Sequence, residues 1–124
     1  MIWATKGMDP VSTKLLSSYI QDDFPKDFNY GVLTGPSFAM EVGKGMPTAV
    51  CIASNNHDFA QSVQNLFHCP VFRTYICDDI IGAQIGGALK NVIAISTGVS
   101  DGLKYGANSR AALITRGLAE IQRL

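Results

Sequence analysis

Lys90 stands at the end of a strip of very small residues. Gly82, Gly86 and Lys90 fall at i, i+4 and i+8, with Ala83 and Gly87 beside them. Residues four apart share one face of a helix. A glycine inside a helix costs about 1 kcal/mol relative to alanine, so a helix that keeps several has a body approaching its backbone. That body is either a second helix or a ligand. In the ligand case the strip is a floor, and the ammonium at its edge can exchange a proton or stabilise a developing oxyanion. In the packing case the lysine is merely solvated.

Two further places carry chemistry. Lys6-Gly7 follows the short apolar run Ile2-Trp3-Ala4-Thr5. Ligands of open α/β sheets bind beyond the carboxyl ends of strands, so Lys6 is placed to meet a phosphate or a carbonyl oxygen. The plain alternative is an ordinary loop lysine. Gly35-Pro36-Ser37 follows the apolar run Asn29 to Thr34. Pro36 suits the first turn of a helix, which would leave the N–H groups of Ser37, Phe38 and Ala39 free to attract acceptors. The plain alternative is a turn with an N-terminal proline.

The elements that must hold these residues alternate along the first part of the chain. Ile2 to Thr5 is predicted as an inner strand, and Val11 to Asp23 as a helix capped by Asp9 or Ser12 and closed by Pro25. Strands are predicted over Asn29 to Thr34, over Thr48 to Ser54 (apolar throughout, hence central) and over Val71 to Ile76, with an edge position for the last. An amphipathic helix runs from His57 to about Phe67, with Phe59, Val63, Leu66 and Phe67 inward. This alternation is the mark of an α/β layer. From Asp78 it stops. A long helix is predicted from a cap at Asp78 or Asp79 to a stop at Gly98, with Ile81, Ile85, Leu89 and Val92 as its buried stripe. A glycine-punctuated loop then leads to a last helix from Ser109, capped by Asn108 and packed through Ala112, Leu113, Leu118 and Ile121. The compositional change near Asp78 is the expected domain boundary.

The 124 residues allow one compact domain at most. With 47% hydrophobic and 16% charged residues the chain is globular rather than disordered. Its formal net charge of zero gives no footprint for nucleic acid or an anionic membrane surface. No apolar run reads as long enough to span a bilayer, so membrane insertion is not expected. Cys51, Cys69 and Cys77 are odd in number and lack metal-ligand spacing, which points to a reducing, cytoplasmic setting and no metal. His57 and His68 share no partner pattern. Both ends read as interrupted elements, so a piece of a longer protein is expected.

Several stretches are similar to a known family. Trp3-Ala4-Thr5-Lys6-Gly7, Leu33-Thr34-Gly35-Pro36-Ser37-Phe38-Ala39, Gly45-Met46-Pro47-Thr48-Ala49-Val50, Ile81 to Ile95 with its Gly86-Gly87-Ala88-Leu89-Lys90-Asn91 core, and Gly106 to Ile121 resemble the NAD(P)-dependent glycerol-3-phosphate dehydrogenases in their bacterial form. The resemblance covers essentially the whole chain, in family order. It implies an α/β fold: the C-terminal part of a Rossmann-like dinucleotide-binding domain over 1–77, then the first helices of an all-α substrate domain over 78–124. It implies reduction of dihydroxyacetone phosphate, or oxidation of glycerol 3-phosphate, with NAD or NADP as cofactor, feeding glycerophospholipid synthesis. A homodimer is compatible with it.

Carried over by position, Lys90 matches the family's proton-transfer lysine and Lys6 the second lysine of the substrate pocket. Gly35 and Ser37 match substrate-contacting positions, Asn91 adjoins the lysine in the same motif, and Ala39 matches a cofactor-contacting backbone position. Other family features have no counterpart here. No GxGxxG occurs in the chain. The family's later Asp and its Arg-Asn pair would lie beyond Leu124, and Arg110 and Arg116 are not that phosphate arginine. The expected alternatives are another two-domain 3-hydroxyacid or ketoacid dehydrogenase, or a non-catalytic self-associating module.

Overall fold

A computed structural model describes residues 1–123. Its strands are β1 (Ile2–Trp3), β2 (Gly31–Thr34), β3 (Thr48–Ser54) and β4 (Phe72–Cys77). Its helices are α1 (Leu16–Asp23), α2 (Ala39–Gly43), α3 (His57–Phe67), α4 (Ile80–Gly102) and α5 (Ala107–Ile121). The strands form one sheet in the order β1-β2-β3-β4. β1 is parallel to β2 and β3 to β4, while β2 and β3 run antiparallel. The all-apolar β3 is internal and β4 lies at an edge, both as expected. β1 is at the other edge rather than inside, because only Ile2 and Trp3 pair before the chain leaves the sheet.

Strand parity divides the sheet into two faces. Leu33, Ile52 and Ile76 are paired across β2, β3 and β4. They pack, with Ile2, against Phe59, Ala60 and Val63 of α3. Ile52 is fully buried there, and burying such a side chain stabilises the fold by about 1.5–3 kcal/mol. The opposite face carries two rows, Val32-Ala53-Cys77 and Thr34-Cys51-Tyr75. Val32 and Thr34 of these rows line a narrow crevice with Ala83, Gln84 and Gly87 of α4.

Four helix expectations are corrected. α1 begins at Leu16, not Val11. The Asp9 carboxylate instead accepts from the backbone N–H groups of Val11 and Ser12, at 2.7 and 3.1 Å, and from the Tyr19 hydroxyl. Thr13 then takes a left-handed backbone, φ 58°, which a continuing helix excludes. α2 begins at Ala39 with Phe38 as its N-cap, so Pro36 and Ser37 lie in the turn before it. α4 starts as expected, with the Asp79 carboxylate accepting from the Gly82 N–H at 2.8 Å, but runs through Gly98 to Gly102. It stops where Lys104 adopts φ 58°. The Lys104 N–H donates to the Asp101 carbonyl at 3.0 Å and the Tyr105 N–H to the Ser100 carbonyl at 3.1 Å, a Schellman closure. The N-cap of α5 is Gly106, not Asn108.

Only part of the stripe expected to bury α4 is covered: Ile85 and Leu89 are half-buried. Ile81 and Val92 are exposed, while Gln84, Gly87 and Ser100 are buried. The sheet approaches the small-residue side of the helix, leaving Ile81 and Val92 outward. Likewise Leu113 and Leu118 of α5 are exposed, and α4 meets α5 where Ile93 lies against Gly117. Because α4 continues past Gly98, it becomes a helix of 23 residues containing an 18-residue stretch of mean hydropathy 1.2, long and apolar enough to cross a membrane by length and composition. That corrects the reading that no such run exists. In this fold the helix is laid against the sheet through the Gln84–Gly87 side.

Candidate active site

A cleft of about 480 Å³ opens where the end of β2 and the neighbouring β3 and β4 meet α4. Its floor is Gly82, Ala83, Gly86 and Gly87, and Lys90 stands at its edge. The opposing wall is Gly35 and Pro36 with the row Thr34, Cys51 and Tyr75. The small strip found in the sequence therefore faces a cavity along part of its length and packs tightly along the rest. A methyl on Gly87 would sit 3.3 Å from the Thr34 hydroxyl and 3.6 Å from Lys6 Cγ, whereas one on Gly86 would meet nothing within 4 Å. Gly87 lets the sheet come close; Gly86 leaves space for a ligand.

Lys6 does not line this cleft; it lies in the adjoining crevice with Thr34 and Gly87, close enough to Lys90 for the two charges to interact. The Lys6 ammonium donates to the Gly35 carbonyl at 3.0 Å. The Ser37 hydroxyl donates to the same carbonyl at 3.3 Å. Partial burial holds the Lys6 pKa below the ordinary lysine value, and the charge of the neighbouring Lys90 ammonium lowers it further. An ammonium has three donors, so Lys6 keeps two after serving Gly35. Two adjacent cationic groups with spare donors favour an anion or a developing alkoxide between them.

Gly35 is bound to its place by geometry. Its φ is +149°, and a Cβ there would stand 2.9 Å from the Ala49 carbonyl oxygen and from Val50 Cα. Only glycine lets β2 turn away against β3 at this point. Ser37 reaches the site through the Gly35 carbonyl but does not line the cleft. Asn91 and Ala39 are exposed and do not line it either. The expected cluster of free N–H groups on Ser37, Phe38 and Ala39 is not assembled as a first helical turn, since only Ala39 lies within α2.

Four contributors escaped the sequence reading. Thr34 and Cys51 enter the wall because β2 pairs antiparallel with β3, and Tyr75 because β4 pairs parallel with β3, relations that periodicity does not encode. Burial, then the neighbouring Cys77, pushes the Cys51 thiol up to about 11, so this wall cysteine is unreactive near neutrality. Gln84, six residues before Lys90, is buried and fully hydrogen-bonded. A polar residue on the small-residue side of α4 was the available signal for it.

Comparison with known proteins places the chain in a family. Residues 1–60 match the family model described as NAD-dependent glycerol-3-phosphate dehydrogenase N-terminus, and residues 79–124 match its C-terminus counterpart. The chain belongs to the NAD-dependent glycerol-3-phosphate dehydrogenase family. It is 52% identical over its whole length to a glycerol-3-phosphate dehydrogenase (NAD(P)+) of Legionella pneumophila, of which it covers 38%. It is 50% identical to that of Mannheimia succiniciproducens, covering 37%. Among solved structures, the glycerol-3-phosphate dehydrogenase of Coxiella burnetii superimposes with TM-score 0.90 at 46% identity, over 98% of this chain and 37% of that one. The Saccharomyces cerevisiae enzyme does so with TM-score 0.85 at 34% identity, again over 98% and 37%. The chain thus spans well under half the length of these relatives. The α/β class with a Rossmann-like first part and a following helical part is that of the family.

Proposed function

We propose that this chain carries the proton-transfer half of the site that interconverts dihydroxyacetone phosphate and sn-glycerol 3-phosphate. The observation that carries the proposal is the convergence of Lys6 and Lys90 on the Gly35 turn above a glycine floor. A bound reduced nicotinamide supplies the hydride. The residues present fit its ring end, since the floor of Gly82, Ala83 and Gly86 leaves room against a flat group. They do not fit its pyrophosphate, for which the chain has no GxGxxG.

In this reading Lys90 donates the proton that the ketone oxygen takes on reduction and accepts it in reverse. Lys6, anchored on the Gly35 carbonyl, polarises that oxygen or pairs with the phosphate. Burial and then the Lys90 charge lower its pKa, and an anionic substrate beside the two ammonium groups offsets that charge. Ser37 steadies the turn, Asn91 is assigned to the substrate side, and the backbone at Ala39 to the cofactor side. Residues 1–77 are assigned to the dinucleotide-binding domain and 78–124 to the helical domain. Three unpaired cysteines support a cytoplasmic setting. Replacing Lys90 by Met in the full-length gene product should lower turnover by roughly 10²–10⁴-fold while leaving nicotinamide binding intact. Near-normal turnover would refute the reading.

A further inference from the structure

The catalytic strip has an uncommon mechanical problem. A helix normally fixes its roll by pressing apolar side chains into its neighbour. The first half of α4 has few to press: Ile81 and Val92 are exposed, Ile80, Ile85 and Leu89 are only half-buried, and apart from Gln84 and Lys90 the residues lining the cleft and crevice are glycine and alanine. Among the described residues, Gln84 is the only buried residue of this half that has a side chain. It is 5% exposed.

That side chain is completely engaged. Its amide nitrogen donates to the Ser17 hydroxyl at 2.9 Å and to the Ile80 carbonyl at 3.0 Å. Its oxygen accepts from the Ser17 backbone N–H at 3.2 Å. Ser17, 4% exposed, lies in the first turn of α1, so the bonds link two elements 67 residues apart. Gln84 also lines the crevice that holds Lys6, Thr34 and Gly87. It sits six residues from Lys90, about 9 Å along the helix axis.

We propose that Gln84 is a positioning residue: its buried bonds to Ser17 set the roll of α4 and so aim Lys90 at Lys6 and the Gly35 turn. The inference rests on the reading of Lys90 as the proton-transfer lysine. Breaking the bonds would leave the roll of this half of α4 to its glycine floor and a few half-buried apolar side chains, and a displacement of about 1 Å at a reacting group costs on the order of 10²-fold in rate.

The test uses the full-length gene product with Gln84→Met, which keeps the volume and removes the bonds. The expected result is a kcat lower by about tenfold or more, with nicotinamide affinity retained. The Lys6 titration, read by NMR on labelled lysine, should move up toward the free value as Lys90 swings away. Added to Lys90→Met, the same change should cause no further loss of rate. A wild-type kcat with an unmoved Lys6 titration overturns the inference, as does an equal loss in the Lys90→Met background. Should Gln84→Met fail to fold, Ser17→Ala removes one partner and should give a smaller loss, about two- to fivefold, with the same upward movement of Lys6; no change in either overturns it. Substantial turnover in Lys90→Met alone sinks the underlying reading instead, and the Lys6 titration still reports whether Gln84 positions Lys90.

Discussion

Gly86 and Lys6 show how single residues trade stability for chemistry. Nothing lies within 4 Å of a methyl placed on Gly86, so Gly86→Ala should stabilise the folded protein by about 0.5–1 kcal/mol in urea titration. The same methyl enters the cleft floor, so KM for the ketone should rise severalfold; an unchanged KM would show that the floor is not used. Lys6 binds fewer protons in the folded than in the unfolded state between its lowered pKa and the ordinary value of 10.5. Stability therefore rises with pH through that window, and the cost of the lysine is fully present below it. Lys6→Met should abolish that rise, so its advantage over wild type should shrink as ligand-free protein is titrated from pH 7 to 10.5. A constant difference would place Lys6 in an unperturbed environment. At this scale the sequence was informative: the spacing of Gly82, Gly86 and Lys90 pointed to a floor with a charged edge, and Lys6 was placed at a strand end. The polarity of Gln84 on the small-residue side of α4 is legible in the sequence, but its partner Ser17 is not, because only the tertiary fold brings the two together.

Among elements, boundaries were misread wherever a residue other than glycine took a left-handed backbone. Thr13 ends the turn before α1 and Lys104 closes α4, each with φ 58°. Neither type advertises that conformation, whereas Gly98, which does, remains helical. Lys104 occupies the position in the Schellman closure where glycine is preferred. Lys104→Gly should therefore stabilise the protein by about 1 kcal/mol, raising the urea midpoint without altering turnover. A loss of stability would mean that the lysine side chain holds the closure in some other way. The antiparallel pairing of β2 with β3 was also hidden, since alternation of strands and helices reveals the layer but not strand direction. That pairing brings Thr34 beside Cys51 and makes the cleft wall.

Across the whole molecule, the cleft needs both the sheet and α4, yet much of α4 faces nothing. Val92, Ile95, Val99 and Leu103 recur along one side and are 58%, 67%, 56% and 56% exposed. Contiguous apolar surface of this kind is seldom left bare by a stable monomer. The chain also covers only 38% of its Legionella relative and contains no pyrophosphate-binding glycine turn. The two features lead to one expectation for the isolated 124-residue polypeptide. Purified alone, it should show no measurable dehydrogenase rate with either nicotinamide, although Lys6 and Lys90 are both present. By light scattering it should run above the monomer mass, because the α4 face finds apolar cover in other copies. A stable monomer would mean that this face tolerates water. A robust rate would mean that the lysine pair and the Gly35 turn capture cofactor unaided, and would overturn the division of labour between this chain and the remainder of the family's length.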